Sequence, residues 1–221
     1  MRLVLFNGSP RHKKSNSGIL IDQFLTGYRG VSSDPFSLHY IADRKEKQAA
    51  LQSFQQAEIV LLIFPLYTDS MPGIVKEFFE DVAGLSISRP KKIGYIVQSG
   101  FPEAIHSVYV ERYLEKFTGR IGCEYLGTVI RGGVEGIQIM PDSMTRKLFR
   151  RFQQLGEHFA THHSFSPVVT AVLRKPYRLS PARRMAIHLL SKTGLTNYYW
   201  NSHLKKYGAF ENRFDQPFIN P

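Results

Sequence analysis

Glu58-Ile59-Val60-Leu61-Leu62-Ile63-Phe64 carries six apolar residues in succession after its single acid. Side chains alternate faces along a strand, so this segment is apolar on both. Such a strand belongs in the middle of a sheet covered on two sides. Its neighbours in the chain fit that placement. Arg2–Phe6 is a short apolar run that stops at the turn formers Asn7-Gly8-Ser9-Pro10. Ser15–Ser17 offer N-caps for a helix whose apolar residues Ile19, Leu20, Phe24 and Tyr28 recur at helical spacing. Phe36–Ile41 reads as a strand, Lys45–Gln56 as a polar helix, and Gly73–Val82 as an amphipathic helix following the loop Pro65–Pro72. A strand over Lys92–Gln98, a helix over Glu103–Phe117, a last strand over Glu124–Ile130 and a long helix over Pro141–His163 complete the pattern.

Five strands separated by helices of this length pair in parallel through right-handed crossovers. The predicted fold class is therefore α/β, a three-layer doubly wound sandwich around a five-stranded parallel sheet. After Ser164 the regularity fails at Pro167, Pro176 and Pro181, leaving one plain helix, Pro181–Lys192, before an aromatic, polar tail. We expect a domain over residues 1–163 and a basic extension over 164–221 that packs on the domain or on a partner subunit.

The composition excludes several classes. With 43% hydrophobic residues over 221 positions the chain can bury a sizeable core. No apolar stretch approaches the roughly 18 residues of a membrane span. A lone Cys123 forbids an internal disulfide framework, and the N-terminal segment has no signal-peptide pattern, so a reducing cytoplasm is expected. The net charge is +11, and from Phe165 onward nine Lys/Arg face only Glu211 and Asp215. That excess favours an anionic partner without specifying a fold.

In an open parallel sheet, ligands bind beyond the carboxyl ends of the strands, near the point where strand order reverses. The loops after the first, third and fourth strands are therefore the candidates. The first, Ser9-Pro10-Arg11-His12-Lys13-Lys14-Ser15-Asn16-Ser17, is rich in hydroxyls and bases and opens onto a helix N-terminus. Free N–H groups and the helix dipole favour a phosphate there, and Arg11 can pair with it through two hydrogen bonds. Neither Gly-x-x-x-x-Gly-Lys-[Ser/Thr] nor Gly-x-Gly-x-x-Gly is present, and Cys123 lies too far away in the sequence for a phosphatase loop. The second loop, Pro65-Leu66-Tyr67-Thr68-Asp69-Ser70-Met71-Pro72, offers flat and soft apolar surface at Tyr67 and Met71 for a planar ring. The third, Gln98-Ser99-Gly100-Phe101-Pro102, adds a close backbone approach at Gly100 and a wall at Phe101. His158 and His162 stand at i, i+4 without a carboxylate or cysteine to complete a metal set. Gly132–Gly136 reads as a flexible rim after the last strand, and Tyr198-Tyr199-Trp200 as core or interface packing.

Phe6-Asn7-Gly8-Ser9-Pro10-Arg11 with Ser15-Asn16-Ser17 resembles the N-terminal signature of the NAD(P)H-dependent FMN reductase and flavodoxin-like oxidoreductase family. So does Pro65-Leu66-Tyr67 followed by Ser70-Met71-Pro72, with Lys76 and Phe78 in the helix beyond. The resemblance covers roughly residues 1–163. It implies a flavodoxin-like fold, FMN as cofactor and NADPH or NADH as hydride donor. By it, Ser9, Arg11, Asn16 and Ser17 would hold the phosphate. Pro65, Leu66, Tyr67, Thr68, Asp69, Ser70 and Met71 would hold the ring, with Ser99, Gly100 and Phe101. Asp69 departs from the family's uncharged residue at that place. The implied reaction is ping-pong exchange with a small acceptor such as a quinone, nitro compound or flavin, in a homodimer, without nucleic acid or stable membrane insertion. The alternative is a flavodoxin-type electron carrier, although such carriers present an acidic face and this chain is basic.

Overall fold

The computed structural model describes residues 2–87, 89, 91–194, 197–216 and 219, with the backbone alone at Tyr199. Two compact units divide the chain between Arg178 and Leu179. In the first, β1 (Leu3–Asn7), α1 (Asn16–Arg29), β2 (Phe36–Tyr40), α2 (Lys47–Gln56), β3 (Ile59–Pro65), α3 (Gly73–Ala83), β4 (Lys92–Gln98), α4 (Val108–Arg120), β5 (Glu124–Arg131), α5 (Asp142–His162) and α6 (Pro167–Leu173) follow in order. The sheet has five strands in the order β2-β1-β3-β4-β5, every pair parallel. Strand order reverses between β1 and β3, and their carboxyl ends open the crevice at which such sheets bind ligands.

The alternation along β3 builds both outer layers. Leu61 and Ile63 face a core shared with Leu20, Phe24, Phe152 and Phe159 of α1 and α5. Val60, Leu62 and Phe64 face Phe54, Val75, Phe79 and Leu114 of α2, α3 and α4. Every residue of β3 is buried, as a central strand covered on both sides requires. On the first side α1 and α5 cross so closely that a Cβ on Gly27 would strike the carbonyl of Gln153, and one on Gly156 the carbonyl of Phe24.

The chain differs from its sequence pattern in three places within this unit. The helix expected from Lys45 opens with a 3₁₀ turn, Arg44–Glu46, and is α-helical from Lys47. The helix expected from Glu103 opens with a 3₁₀ turn, Ala104–Ser107, and becomes α-helical only at Val108. The core also continues past His163. Ser166 caps α6 through its hydroxyl, with Pro167 in the first turn, and Phe165, Val169 and Leu173 are buried in the α1–α5 core.

The second unit contains α7 (Pro181–Lys192) and α8 (Tyr198–Lys206). None of its described residues is buried. The Arg213 guanidinium lies 3.9 Å from the Phe210 ring centre and 4.7 Å from that of Phe214.

Candidate functional site

Asn7 ends β1 fully buried and shapes the loop after that strand. Its side-chain oxygen accepts from the Ser9 backbone N–H at 2.9 Å, and its amide donates to the His12 carbonyl at 3.4 Å. These bonds curl the loop back on itself, with His12 at a φ of 54°. Ser15 then caps α1, its hydroxyl accepting from Gly18 N–H at 3.0 Å and donating to the His12 carbonyl at 2.6 Å. The N–H groups of Asn16 and Ser17, the first two helical residues, have no intrahelical acceptor, and no acidic side chain occupies the first turn. Ser9, Asn16 and Ser17 are buried around this N-terminus, while Arg11, Lys13 and Lys14 stand outside it. A helix N-terminus arranged in this way has the free donors that suit an anion.

Asn16 does a second thing. Its amide nitrogen donates to the Val134 carbonyl at 2.8 Å, tying the loop after β1 to the loop after β5. Because that bond fixes the nitrogen, the remaining atom is the acceptor Oδ1, which is buried with no partner. A buried acceptor of this kind is satisfied by an O–H or N–H donor and not by an ionised phosphate oxygen. Ser17 is linked to β4 in turn: Gln98, the last residue of that strand, lies 3.4 Å from the Ser17 hydroxyl through its side-chain amide.

The loop leaving β3 is short and strained. Pro65 and Leu66 remain in the core, and the Leu66 N–H bonds the Gln98 carbonyl at 2.7 Å. Tyr67 and Ser70 exchange backbone hydrogen bonds of 2.8 and 3.0 Å. Between them Thr68 and Asp69 both take positive φ, 49° and 59°, the signature of a type I′ turn. That turn prefers Asn-Gly, and a β-branched Thr there costs on the order of 1–3 kcal/mol. Tyr67 is left 44% exposed at the crevice. Met71 is half-buried against the core that α3 shares.

The loop after β4 is pinned from both sides. Ser99 N–H bonds the Arg131 carbonyl at 3.0 Å, and Gly133 N–H bonds the Phe101 carbonyl at 2.9 Å. The Ser99 hydroxyl donates to that same Phe101 carbonyl at 3.0 Å. Gly132 is obligatory here, since any Cβ would collide with the Phe101 carbonyl. Phe101 stands 54% exposed, its ring 4.7 Å from that of His106. His106 in turn lies 3.5 Å from the Asp69 carboxylate and 3.7 Å from that of Glu103. Tyr67, Asp69 and Phe101 therefore belong to one rim above the ends of β3 and β4.

The candidate residues thus fall into two groups, a buried cradle (Ser9, Asn16, Ser17) with Arg11 at its mouth, and a rim built from residues 65–71 and 99–101. Gln98, Val134, Glu135 and His106 join them; the first three lie in the third loop and the rim Gly132–Gly136 that the sequence marks, without a role assigned to each, and His106 carries no mark. Glu135 lies 4.0 Å from Arg11, and the glycine-rich run Gly132–Gly136 is the signal for it. Gln98 heads the third loop in the sequence, but only the fold brings its side-chain amide to the Ser17 hydroxyl. His12 stacks on Tyr40 of β2, centroids 4.2 Å apart, and burial raises the Tyr40 hydroxyl above its ordinary value, so it stays protonated.

Comparison with known proteins agrees with this architecture. An FMN-dependent NADH-azoreductase from Bacillus anthracis, solved with FMN, is 14% identical over 73% of this chain and 100% of its own, with a TM-score of 0.55. An NADPH-quinone reductase from P. pentosaceus is 17% identical over 73% of this chain and 99% of its own, with a TM-score of 0.56. An NAD(P)H:quinone oxidoreductase from Methanothermobacter marburgensis is 14% identical over 74% of this chain and 98% of its own, with a TM-score of 0.54. At such identities the likeness is one of fold. No curated protein matches the sequence. Residues 1–159 match the family described as flavodoxin-like fold, and with this sheet order and crevice the chain belongs to that family.

Proposed function

We propose that the protein is an FMN-dependent oxidoreductase that takes hydride from NADH or NADPH and passes electrons to a small acceptor such as a quinone, nitro compound or flavin. One observation carries this reading: an anion cradle of buried polar side chains at the N-terminus of α1 shares the β1/β3 crevice with an orphaned buried acceptor, Asn16 Oδ1. FMN joins a phosphate to a hydroxylated chain and a flat ring, and the donor set matches those parts in kind. Three structurally similar proteins bear names of this reaction type, which supports it.

Ser9, Ser17 and the first N–H groups of α1 would hold the phosphate, with Arg11 neutralising it from outside. Asn16 Oδ1 would accept from a hydroxyl of the linking chain. The ring would lie against residues 65–71 and Ser99, Gly100 and Phe101. Bound there, FMN supplies the hydride chemistry. The protein's part is position: Gln98 links the cradle to β4, His106 bridges the two ring loops, and the Gly133–Phe101 bond fixes the third. No acid–base triad is needed for that task.

The test is anaerobic addition of NADH and NADPH to the FMN-loaded protein, followed in the flavin absorbance bands, then addition of a benzoquinone. Bleaching by a nicotinamide and return of colour with the quinone is the expected result. Bleaching by dithionite but by neither nicotinamide would overturn the enzyme reading in favour of an electron carrier.

A further inference from the structure

The second unit has a property that the proposed chemistry does not use. Helix α7 is specified by its own sequence: Ser180 caps it, its hydroxyl accepting from the Arg183 N–H at 3.4 Å, and Pro181 occupies the first turn. Yet Met185, Leu189 and Leu190 are 64%, 57% and 48% exposed. With Ala182 and Ala186 they form one stripe, at spacings i, i+3, i+4, i+7 and i+8. At 3.6 residues per turn Arg183 and Lys192 sit about 90° to either side of the stripe's centre, the positions from which long cationic side chains reach outward while their stems stay apolar. A helix of 12 residues with no buried face is marginal in water. A surface that takes the stripe would stabilise it.

Charge identifies that surface. From Leu179 to the C-terminus, Arg183, Arg184, Lys192, Lys205, Lys206 and Arg213 face only Glu211 and Asp215. Exposed Trp200 and Tyr207 accompany them, the aromatic types that settle at lipid headgroups. A second copy of this chain is also +11 and repels such a tail. Nucleic acid meets the charge but offers nothing to an apolar stripe. An anionic phospholipid surface satisfies both, with the helix lying in the interface plane. Crossing the bilayer is not available to α7, since 12 residues span only about 18 Å of a hydrocarbon core about 30 Å thick.

We propose that α7, with the basic residues of the C-terminal unit, docks the protein reversibly on anionic phospholipid membranes. The inference is independent of the flavin reading. The test is flotation of the full-length protein with vesicles of phosphatidylglycerol and phosphatidylcholine, and of phosphatidylcholine alone, at low and high salt. Co-flotation with the anionic vesicles at low salt, reduced by high salt and absent on phosphatidylcholine, is expected. Arg183→Glu with Lys192→Glu should lower the partition coefficient at least about 25-fold, about fivefold for each lost charge. Leu189→Asp with Leu190→Asp should abolish flotation while the thermal transition stays unchanged, because both side chains are exposed. No flotation with anionic vesicles, flotation indifferent to the aspartate pair, or tighter binding to duplex DNA than to vesicles would each overturn the proposal. So would a dimer that the aspartate pair dissociates in protein that does not float.

Discussion

His39 shows how one position converts the sheet's burial into a pH response. It stands near the end of β2 beside the crevice, its ring stacked on Phe6 at 5.6 Å, and both ring nitrogens are sealed without a hydrogen-bond partner. Burial holds its pKa below the ordinary value of 6.5, with the Glu46 carboxylate opposing. The unfolded chain therefore takes up a proton at a higher pH than the folded one. The stability contributed is complete above about pH 6.5 and lost as pH falls through the lower folded value. Melting temperatures between about pH 7.5 and 5 should fall more steeply for the native chain than for His39→Leu. Equal slopes would show that this ring is not the group responsible. Residues of this kind are hard to read in advance. Nothing in Ser37-Leu38-His39-Tyr40 marks the histidine's ring nitrogens as sealed, because their cover depends on Phe6, over thirty positions away. The same holds for the contact of Gln98 with Ser17, and for Thr68, whose left-handed backbone contradicts its propensity. Ser9, Asn16 and Ser17, by contrast, are legible because they follow a strand and open a helix, two local signals at fixed spacing.

At the scale of elements, local periodicity succeeds where a single face is buried. The alternation of β3 and the stripes of α1, α3 and α5 all lead to the two layers that cover the sheet. It fails where a helix is short: Ser166-Pro167 is a sound cap, but α6 has only 7 residues, too few for a period to stand out. It also says nothing of how closely two helices approach. The glycines at the α1–α5 crossing are ordinary in sequence and indispensable in space. Gly156→Ala should destabilise by about 1–3 kcal/mol, since backbone must move and the strain exceeds the helix-propensity gain of about 1 kcal/mol. Gly119→Ala in α4 should do the reverse: a Cβ there meets nothing within 4 Å, and a gain of about 0.5–1 kcal/mol should raise the melting temperature by about 1–4 °C. Thermal melts of the two variants check both signs, and a stabilised Gly156→Ala would refute the close crossing.

At the scale of the molecule, the two proposals rest on different units of the chain, the first on residues 1–178 and the second on residues 179–221. The crevice at the reversal of strand order gathers its groups from the loops after β1, β3, β4 and β5, a convergence that no single motif displays. Six of the nine basic residues of the last quarter lie in a unit without a buried residue among those described, and among the described residues no helix is long and apolar enough to cross a membrane. The central claim concerns the crevice: its cradle holds a phosphate while the rim holds a ring. Titration of the apoprotein with FMN and with riboflavin, followed by flavin fluorescence, separates the two. One FMN per chain should bind, and riboflavin, which lacks the phosphate, should bind at least about 100-fold more weakly, the equivalent of two charge-assisted hydrogen bonds of about 1.5 kcal/mol each. Equal affinity for the two flavins, or no binding of FMN, would contradict the account.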